Sequence, residues 1–180
     1  MAWVVWFTGL PGCGKTTIAK AVKALLSKKW IEVEILQLDE IRRVITPNPK
    51  YTDEEREMVY ASLAYMAKLL VEAGRNVIVD ATANRRRYRD LARRLVADFA
   101  EVYIRADIDT CMIREAQRKA EFAPKDIYKK AVQERAAVPG VNVDYEEPLN
   151  PEIDVDSSKM DPEHSAEFIT MRILDLFGPS

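Results

Sequence analysis

The chain has 180 residues, of which 48% are hydrophobic and 31% are charged, and its net charge at pH 7 is -2. This length suits a single domain, residues 1–180, with a substantial core. No apolar run reaches the roughly 20 residues of a membrane-spanning helix, and the small net charge gives no general attraction to nucleic acid. The two cysteines form no C-x-x-C pair and have no neighbouring histidine, which argues against a zinc site. We therefore expect a cytoplasmic protein without a membrane span.

Residues 2–8 open the chain with an apolar run rich in β-branched and aromatic side chains, which is typical of a strand buried on both faces. Residues 9–16 then match the phosphate-binding pattern G-x-x-x-x-G-K-[ST] at every position. From Lys15 onward, apolar residues recur at three- and four-residue spacing, which predicts a helix. Strand, glycine-rich turn and helix in this order are the context that the pattern requires, so the sequence predicts a nucleotide-binding P-loop.

The residue types of this loop fit the chemistry of a triphosphate. Glycines let the backbone curl tightly enough to aim several N–H groups at one place, and the N-terminus of the following helix adds its positive dipole. We expect Lys15 to reach the β- and γ-phosphates of ATP, and the hydroxyl of Thr16 to bind Mg²⁺. The residues predicted to contact the nucleotide are Gly9, Leu10, Pro11, Gly12, Cys13, Gly14, Lys15, Thr16 and Thr17.

Beyond the first helix, strand and helix patterns alternate. Asp39 is expected to cap a short helix, and Thr52 with Glu55 forms a capping box that opens a long one. The predicted strands span residues 31–38, 75–80 and 99–105, and the predicted helices span about 39–45, 52–71, 85–97 and 108–118. This alternation predicts an α/β fold, a three-layer P-loop NTPase fold of the nucleoside-kinase type, with a central parallel sheet covered on both faces.

The last part of the chain is less regular. Residues 119–151 are charged and interrupted by prolines, with one helical segment at 125–132. A long irregular segment in a small domain is more often functional or mobile than structural, so residues 119–140 are predicted to form a lid with helical and irregular parts. Residues 153–155 are predicted to form a last short strand, and Pro162 fits the first position of a closing helix.

Two aspartates are candidates for chemistry, because each follows a predicted strand and ligands of open α/β sheets bind at the carboxyl ends of the strands. Asp39 fits a base that orients an acceptor hydroxyl, or a Mg²⁺ ligand through water, since phosphoryl transfer depends on positioning and charge neutralisation. Its alternative role is that of a helix cap. Asp80 ends the third strand, where P-loop proteins carry the carboxylate that holds the metal ion. Its alternative role is that of a turn residue.

Arginines form the second group of candidates. Arg42 and Arg56 could bind phosphate or sulfate groups of an acceptor, since a guanidinium offers a planar fork of donors to oxyanions. Each could also be a solvated charge on a helix face. Six further arginines crowd residues 85–94 and could hold a nucleic-acid backbone. We favour a solvated helix face for this cluster, and nucleic acid is not expected as a partner.

Three segments resemble the adenylylsulfate kinases, and they are residues 7–19, 124–131 and 145–152. The resemblance covers most of the chain. It implies transfer of the γ-phosphate of ATP to the 3′-hydroxyl of adenylyl sulfate, with Mg²⁺, and it leaves room for a homodimer. Carried over by motif, it implies catalytic and substrate roles for Asp39 and Arg42 after the second strand. It also implies that Arg56 and Lys125 bind the substrate, the lysine from the lid.

The chain departs from the pattern of this family at several motifs. Gln37 replaces one acid of an Asp-Gly-Asp motif, and Val138 replaces the aromatic residue that stacks on the substrate adenine. An Asn-hydrophobic-Arg-Arg run and a Ser-Pro pair are also absent. Their places are taken by Val59, Tyr60, Ala61 and Ser62, and by Ala83 and Asn84. The sequence therefore defines the donor side of the reaction better than the acceptor side.

Residues 74–82 are more similar to a broader group of small P-loop kinases, which phosphorylate sugars, aminoacyl-tRNA or polynucleotide ends. Three hypotheses follow. The first is an ATP-dependent kinase of adenylyl sulfate, which acts in sulfate assimilation. The second is a kinase of another hydroxyl acceptor, such as a sugar, a nucleotide sugar or RNA. The third is an ATP-binding regulatory protein with little turnover, indicated only by the acid missing at Gln37.

Overall fold

Within residues 1–117, 125–133 and 136–178, which the computed structural model describes, five parallel strands form one sheet. The strands are β1 (Val4–Thr8), β2 (Val33–Gln37), β3 (Asn76–Asp80), β4 (Phe99–Arg105) and β5 (Ile153–Asp156). Their order across the sheet is β2-β3-β1-β4-β5. Because β1 is central, the loop that follows it emerges between the ends of β3 and β4. The register places Phe7 beside Asp80 and Thr8 beside Tyr103.

Seven helices surround the sheet in the same described residues. They are α1 (Lys15–Ser27), α2 (Leu38–Ile45), α3 (Asp53–Glu72), α4 (Arg86–Leu95), α5 (Ile108–Gln117), α6 (Ile127–Gln133) and α7 (Pro162–Phe177). Helices α1 and α7 pack together on one face of the sheet, and α3 and α4 pack together on the other. None of these helices combines the length and the apolar character needed to cross a membrane.

Strand β1 supplies side chains to two separate cores, one on each face of the sheet. All five of its residues are buried. Val5 and Phe7 belong to the core under α1 and α7, whereas Val4 and Trp6 belong to the core under α3 and α4. Successive side chains of a strand point to opposite faces, so an apolar run without polar alternation is what a strand covered on both sides needs.

Two helix starts follow the capping rules that the sequence suggests. The Thr52 hydroxyl accepts a hydrogen bond from the Glu55 backbone N–H at 3.2 Å, which opens α3. Asp161 accepts one from the His164 N–H at 3.0 Å and opens α7, with Pro162 at the first position. Such caps satisfy N–H groups that the first turn of a helix leaves without partners.

The structure corrects the prediction that Asp39 caps the second helix. Helix α2 begins at Leu38, and its N-cap residue is Gln37, whose side chain makes no capping bond. The reason is that β2 runs in register with β3 until Gln37 lies beside Asp80, and the chain then enters the helix without a connecting residue. Asp39 therefore lies in the first turn of α2. Of the predicted lid, residues 119–124 and 134–135 lie outside the described residues.

Candidate active site

The P-loop approaches its neighbours so closely that two of its glycines have no room for a side chain. A Cβ atom on Gly9 would lie 2.2 Å from the Ile104 carbonyl oxygen, and one on Gly12 would lie 2.5 Å from that of Cys111. Gly12 also has a φ of 83°, a left-handed conformation that favours glycine. The glycines thus let the loop lie directly on the end of β4 and on α5.

Side chains from two later segments hold the loop in place. The Tyr128 hydroxyl of α6 donates to the Pro11 carbonyl at 2.6 Å. The Ser157 hydroxyl, just after β5, donates to the Cys13 carbonyl at 2.7 Å. These bonds fix two carbonyl oxygens of the loop, and loop residues 11–17 line the cleft described below. The loop is therefore a rigid cradle of backbone donors.

Lys15 and the start of α1 make this cradle positive. The Lys15 ammonium donates to the carbonyls of Gly9 at 2.9 Å and Leu10 at 3.0 Å, and its side chain is buried. The first turn of α1 contains no acidic residue, and its N-cap, Gly14, offers no side-chain acceptor. A helix N-terminus with a lysine in its first turn attracts anions, and phosphate above all.

Thr16 and Asp80, both predicted to serve a metal ion, meet at the foot of the loop. The Thr16 hydroxyl donates to the Asp80 carboxylate at 2.6 Å, and Asp80 is buried at the end of β3. A hydroxyl and a carboxylate are the hard oxygen ligands that Mg²⁺ takes. Among the described residues, no group of three or more histidines, cysteines and acids could hold a metal by itself. This donor set thus fits an ion that is shared with phosphate oxygens.

A cleft of about 850 Å³ extends from the P-loop in two directions. On one side it is lined by Arg114 of α5 and by Ser157, Met160 and Pro162, which follow β5. On the other side it is lined by residues of α2 and α3, of the segment before α3 and of the segment after α6. The residues on this second side are Asp39, Arg42, Tyr51, Arg56, Ala137 and Val138. We call these two parts the 114 side and the 42–56 side of the cleft.

Arg56 is a buried cation whose polar partners in the described residues are all uncharged. Its guanidinium donates to the Tyr51 carbonyl at 3.1 Å, to the Asn84 side-chain oxygen at 3.4 Å and to the Ala137 carbonyl at 3.2 Å. The residue is 5% exposed. Burying a charge without a counter-ion is costly, so this position favours an anion in the cleft.

Arg42 is buried as well, but its charge is partly compensated. Its guanidinium lies 3.6 Å from a carboxylate oxygen of Glu55. It also lies 5.1 Å from the centre of the Tyr51 ring, and Arg56 lies 5.8 Å from the same centre. The two predicted substrate arginines therefore both lie close to the same aromatic ring.

Tyr51 lines the cleft, and the sequence pattern did not predict a role for it. Its φ is 56°, which is unusual for a residue other than glycine, and the Glu55 carboxylate accepts its backbone N–H and that of Lys50. Burial raises the pKa of the Tyr51 phenol, so the ring stays neutral at physiological pH. The signal was an aromatic residue directly before the capping box at Thr52. Together these contacts present a fixed, planar surface to the cleft.

Arg114 is the second site residue that the sequence did not single out. Its guanidinium donates to the Ser157 carbonyl at 2.7 Å and to the Ser157 hydroxyl at 3.1 Å. These neutral partners orient it along the 114 side of the cleft. No local motif marks it, because its partner lies 43 residues later in the chain.

Lys125 does not line the cleft. It is exposed and precedes α6, and Lys130 of that helix lines the cleft instead. Val138, at the position where the resemblance implies an aromatic residue, is buried and lines the 42–56 side. The role of Lys125 stays a prediction.

Four of the six arginines in the cluster around α4 pair with carboxylates, and none of the six lines the cleft. Arg89 is buried and pairs with Glu101 of β4. Arg93 holds both carboxylate oxygens of Glu152, at 2.6 and 2.9 Å. Arg85 and Arg87 pair with Glu146 and Glu57. This pairing supports the interpretation that the cluster is a structural and solvated helix face.

A model of the adenylylsulphate kinase family matches residues 1–156. The chain belongs to this family. It is 37% identical over 175 residues to a probable adenylyl-sulfate kinase of Pyrococcus abyssi, an alignment that covers 97% of this chain and 96% of the relative. It is also 37% identical over 162 residues to a probable adenylyl-sulfate kinase of Archaeoglobus fulgidus, with 89% and 99% covered. The predicted family, phosphotransferase activity and role in sulfate assimilation are thereby confirmed.

A solved structure agrees with this assignment. The structure of the Mycobacterium tuberculosis APS kinase CysC in complex with AMPPNP and APS has a TM-score of 0.85 to this chain, at 27% identity. It covers 97% of this chain and 98% of the other. The predicted P-loop kinase fold is confirmed, and the departures at Gln37, Ala83 and Val138 are variations within the family.

Proposed function

We propose that the cleft binds ATP and adenylyl sulfate on opposite sides of the P-loop and transfers the γ-phosphate to the 3′-hydroxyl of adenylyl sulfate. The observation that carries this arrangement is that Arg56, which is buried and has no ion-pair partner among the described residues, shares one cleft with the P-loop and with the Thr16–Asp80 pair. Two anionic ligands placed end to end need positive charge at both ends of the cleft and a cradle between them.

On the donor side, the loop N–H groups, Lys15 and the start of α1 hold the phosphates of ATP. The base of ATP occupies the 114 side, where the planar guanidinium of Arg114 faces Met160 and Pro162 across the lining. Thr16 and Asp80 would hold Mg²⁺, which neutralises charge on the β- and γ-phosphates when it is bound. These assignments rest on the residue chemistry and on the geometry of the cleft.

On the acceptor side, Arg56 and Arg42 bind the phosphate and sulfate oxyanions of adenylyl sulfate. The Tyr51 ring stacks on the adenine. It thereby replaces in part the aromatic residue that the resemblance implies at position 138, where this chain has Val138. Asp39, in the first turn of α2, orients the 3′-hydroxyl and accepts its proton as the hydroxyl oxygen attacks the γ-phosphorus and ADP departs.

We further propose that the reaction takes place in the cytoplasm. Cys13 and Cys111 are both free thiols and both buried, and Cys13 lies in the P-loop itself. Burial raises the pKa of the Cys13 thiol, which keeps it as a neutral, unreactive packing group. The homodimer stays a prediction from the resemblance.

The experiment is a coupled assay of ADP release with a panel of acceptors: adenylyl sulfate, AMP, several sugars and RNA. We expect an acceptor-dependent rate with adenylyl sulfate and none above the ATP-only background with the others. The Asp39→Ala variant should bind ATP normally and lose about 10²- to 10⁴-fold in turnover, the usual range for a general base. A rate with a sugar or RNA but none with adenylyl sulfate would refute the proposed acceptor.

A further inference from the structure

The corner between β3 and α4 lies directly beneath the acceptor arginine Arg56. At this corner Ala83 has a φ of 44°, an uncommon value for an alanine. Its backbone N–H donates to the Tyr60 hydroxyl at 3.0 Å, and its carbonyl accepts from the Arg89 guanidinium. Both groups are buried. The next residue, Asn84, is therefore presented from a corner that is held on both sides.

Asn84 links Arg56 to the segment that follows α6. It is 1% exposed. Its side-chain oxygen accepts from Arg56 at 3.4 Å, and its side-chain nitrogen donates to the Asp144 carbonyl at 3.0 Å. Its own carbonyl accepts from the Glu146 N–H at 2.8 Å. Because one neighbour is a donor and the other an acceptor, only one orientation of the amide satisfies both.

We propose that Asn84 is a positioning residue for the acceptor site, which orients Arg56 by hydrogen bonding while it leaves the charge of Arg56 free for the oxyanions of adenylyl sulfate. This inference rests on the proposed function of the cleft. The guanidinium of Arg56 has three anchors, and two of them, Tyr51 and Ala137, are backbone carbonyls. Asn84 is the only side-chain anchor of Arg56 among the described residues, so it is the one that a substitution can remove.

The neutrality of Asn84 matters as much as its hydrogen bond. A carboxylate of the same size at this position would also accept from Arg56, and it would form a buried ion pair with it. Such a pair would compete with the substrate for the charge of Arg56. The same carboxylate would face the Asp144 carbonyl with an acceptor instead of a donor. An amide is the group that anchors the arginine without neutralising it.

These contacts predict an effect on the acceptor and none on the donor. Asn84→Ala should raise the KM for adenylyl sulfate about tenfold, the effect of losing one hydrogen bond to a charged group, while the KM for ATP is unchanged. Asn84→Asp should raise the KM for adenylyl sulfate further than Asn84→Ala does. A residue with only a structural role would instead lower stability and kcat and would change both KM values together.

Asn76 supplies a matched control at the opposite end of β3. Its side-chain nitrogen donates to the Glu32 carbonyl at 3.1 Å, and its side-chain oxygen accepts from the Trp3 N–H at 3.4 Å. It is thus a second asparagine that bridges two backbone segments, far from the cleft lining. Asn76→Asp should leave both KM values unchanged.

The test measures the two KM values, kcat and the thermal midpoint for the wild type and for Asn84→Ala, Asn84→Asp and Asn76→Asp. A selective rise in the KM for adenylyl sulfate, larger for Asp than for Ala, supports the inference. Parallel changes in both KM values, or equal effects of Ala and Asp, overturn it. If Asn84→Asp does not fold, the selectivity of Asn84→Ala decides. Absence of a wild-type rate with adenylyl sulfate refutes the proposed function, whereas a normal wild-type rate with unaltered variants refutes this inference alone.

Discussion

The cations of the cleft and the arginines around α4 have the same chemistry but differ in what compensates their charge. The cleft cations are Lys15, Arg56 and Arg114. Among the described residues, their partners are carbonyl, hydroxyl, amide and thiol groups. Four of the six arginines around α4 lie within ion-pair distance of a glutamate, and they are Arg85, Arg87, Arg89 and Arg93. The former can attract anions, and the latter mainly hold the fold together.

This difference shows that a high local density of arginine is a poor guide to a binding site. A charge taken out of water costs several kcal/mol unless a partner offsets the loss. Around α4 the partner is part of the protein, so little positive potential remains for a ligand. In the cleft the guanidinium and ammonium groups are oriented by neutral acceptors, so their charge remains available to phosphate and sulfate. The two predicted substrate arginines differ in the same way, because Arg42 has a nearby carboxylate, whereas the polar partners of Arg56 among the described residues are all uncharged.

The largest effect on stability is expected at Arg89. Removing one partner of a buried ion pair usually costs about 3–5 kcal/mol, and Arg89→Met would leave the buried Glu101 with only the more distant and more exposed Arg93, at 3.9 Å. Burial already raises the pKa of Glu101, against the effect of Arg89. Urea unfolding at pH 7 should show a loss of this size in the free energy of unfolding.

The double variant Arg89→Met with Glu101→Leu is the control for this measurement. Replacing both partners of a buried pair by apolar groups is often nearly neutral, so the double variant should recover part of the loss. Recovery should be incomplete, because Arg89 also donates to the carbonyls of Ala83 and Glu146. A double variant no more stable than Arg89→Met would show that the ion pair is not what the arginine contributes.

Lys15 should give the largest effect on catalysis among the cleft cations. Lys15→Ala removes a preorganised charge next to the transferred phosphate, and loss of one such group commonly costs about 10²- to 10³-fold in kcat. The unfolding midpoint of Lys15→Ala is measured as well, because Lys15 is buried and holds the Gly9 and Leu10 carbonyls. Lys20, exposed on the same helix, is the control, and Lys20→Ala should keep wild-type kinetics. A Lys15→Ala enzyme with near-normal kcat would show that the ammonium does not act on the phosphates.

The fold and the donor half of the site could be predicted because their signals are local. The apolar run at 2–8, the glycine spacing and the helical period after Lys15 lie within one stretch of sequence, and strand-end rules bring Asp80 to Thr16. The cap at Thr52 is equally local and was confirmed, but the Glu55 carboxylate accepts from the N–H groups of Tyr51 and Lys50, one and two residues before the position that a capping box implies. The cap at Asp39 was predicted wrongly, because sequence rules did not reveal that β2 enters α2 without a connecting residue.

The acceptor half could be predicted only in part, because its geometry comes from distant segments. Arg56 was identified by motif, but its anchors Asn84 and Ala137 lie 28 and 81 residues away. Tyr51 gains its role from a left-handed backbone and two arginines, neither of which a pattern records. Such roles appear only when the packing of α3, the β3–α4 corner and the later segment is known.

The smallest effect is expected at Glu146, which receives the Arg86 N–H and pairs with Arg85. These contacts, the backbone bond first, hold its pKa below the ordinary value of 4.5. A lowered pKa stabilises the folded state above pH 4.5, and this contribution is lost as pH falls through the folded value. Glu146→Gln should therefore be less stable than the wild type at pH 7, by about 1 kcal/mol or less. Urea unfolding from pH 7 to pH 3 should show this difference disappear, and a constant difference would contradict the account.

The central claim is that Arg56, a buried arginine without an ion-pair partner in the part of the chain that the structure describes, recognises the acceptor, and that the dense arginine cluster around α4 does not. The most direct measurement is the KM for adenylyl sulfate in Arg56→Ala, with Arg93→Ala as the matched control from the α4 arginines. We expect Arg56→Ala to raise this KM by about 10- to 100-fold, the effect of a charged hydrogen-bonding group, and Arg93→Ala to leave it unchanged. An unaltered KM in Arg56→Ala, or an equal rise in Arg93→Ala, would contradict the claim.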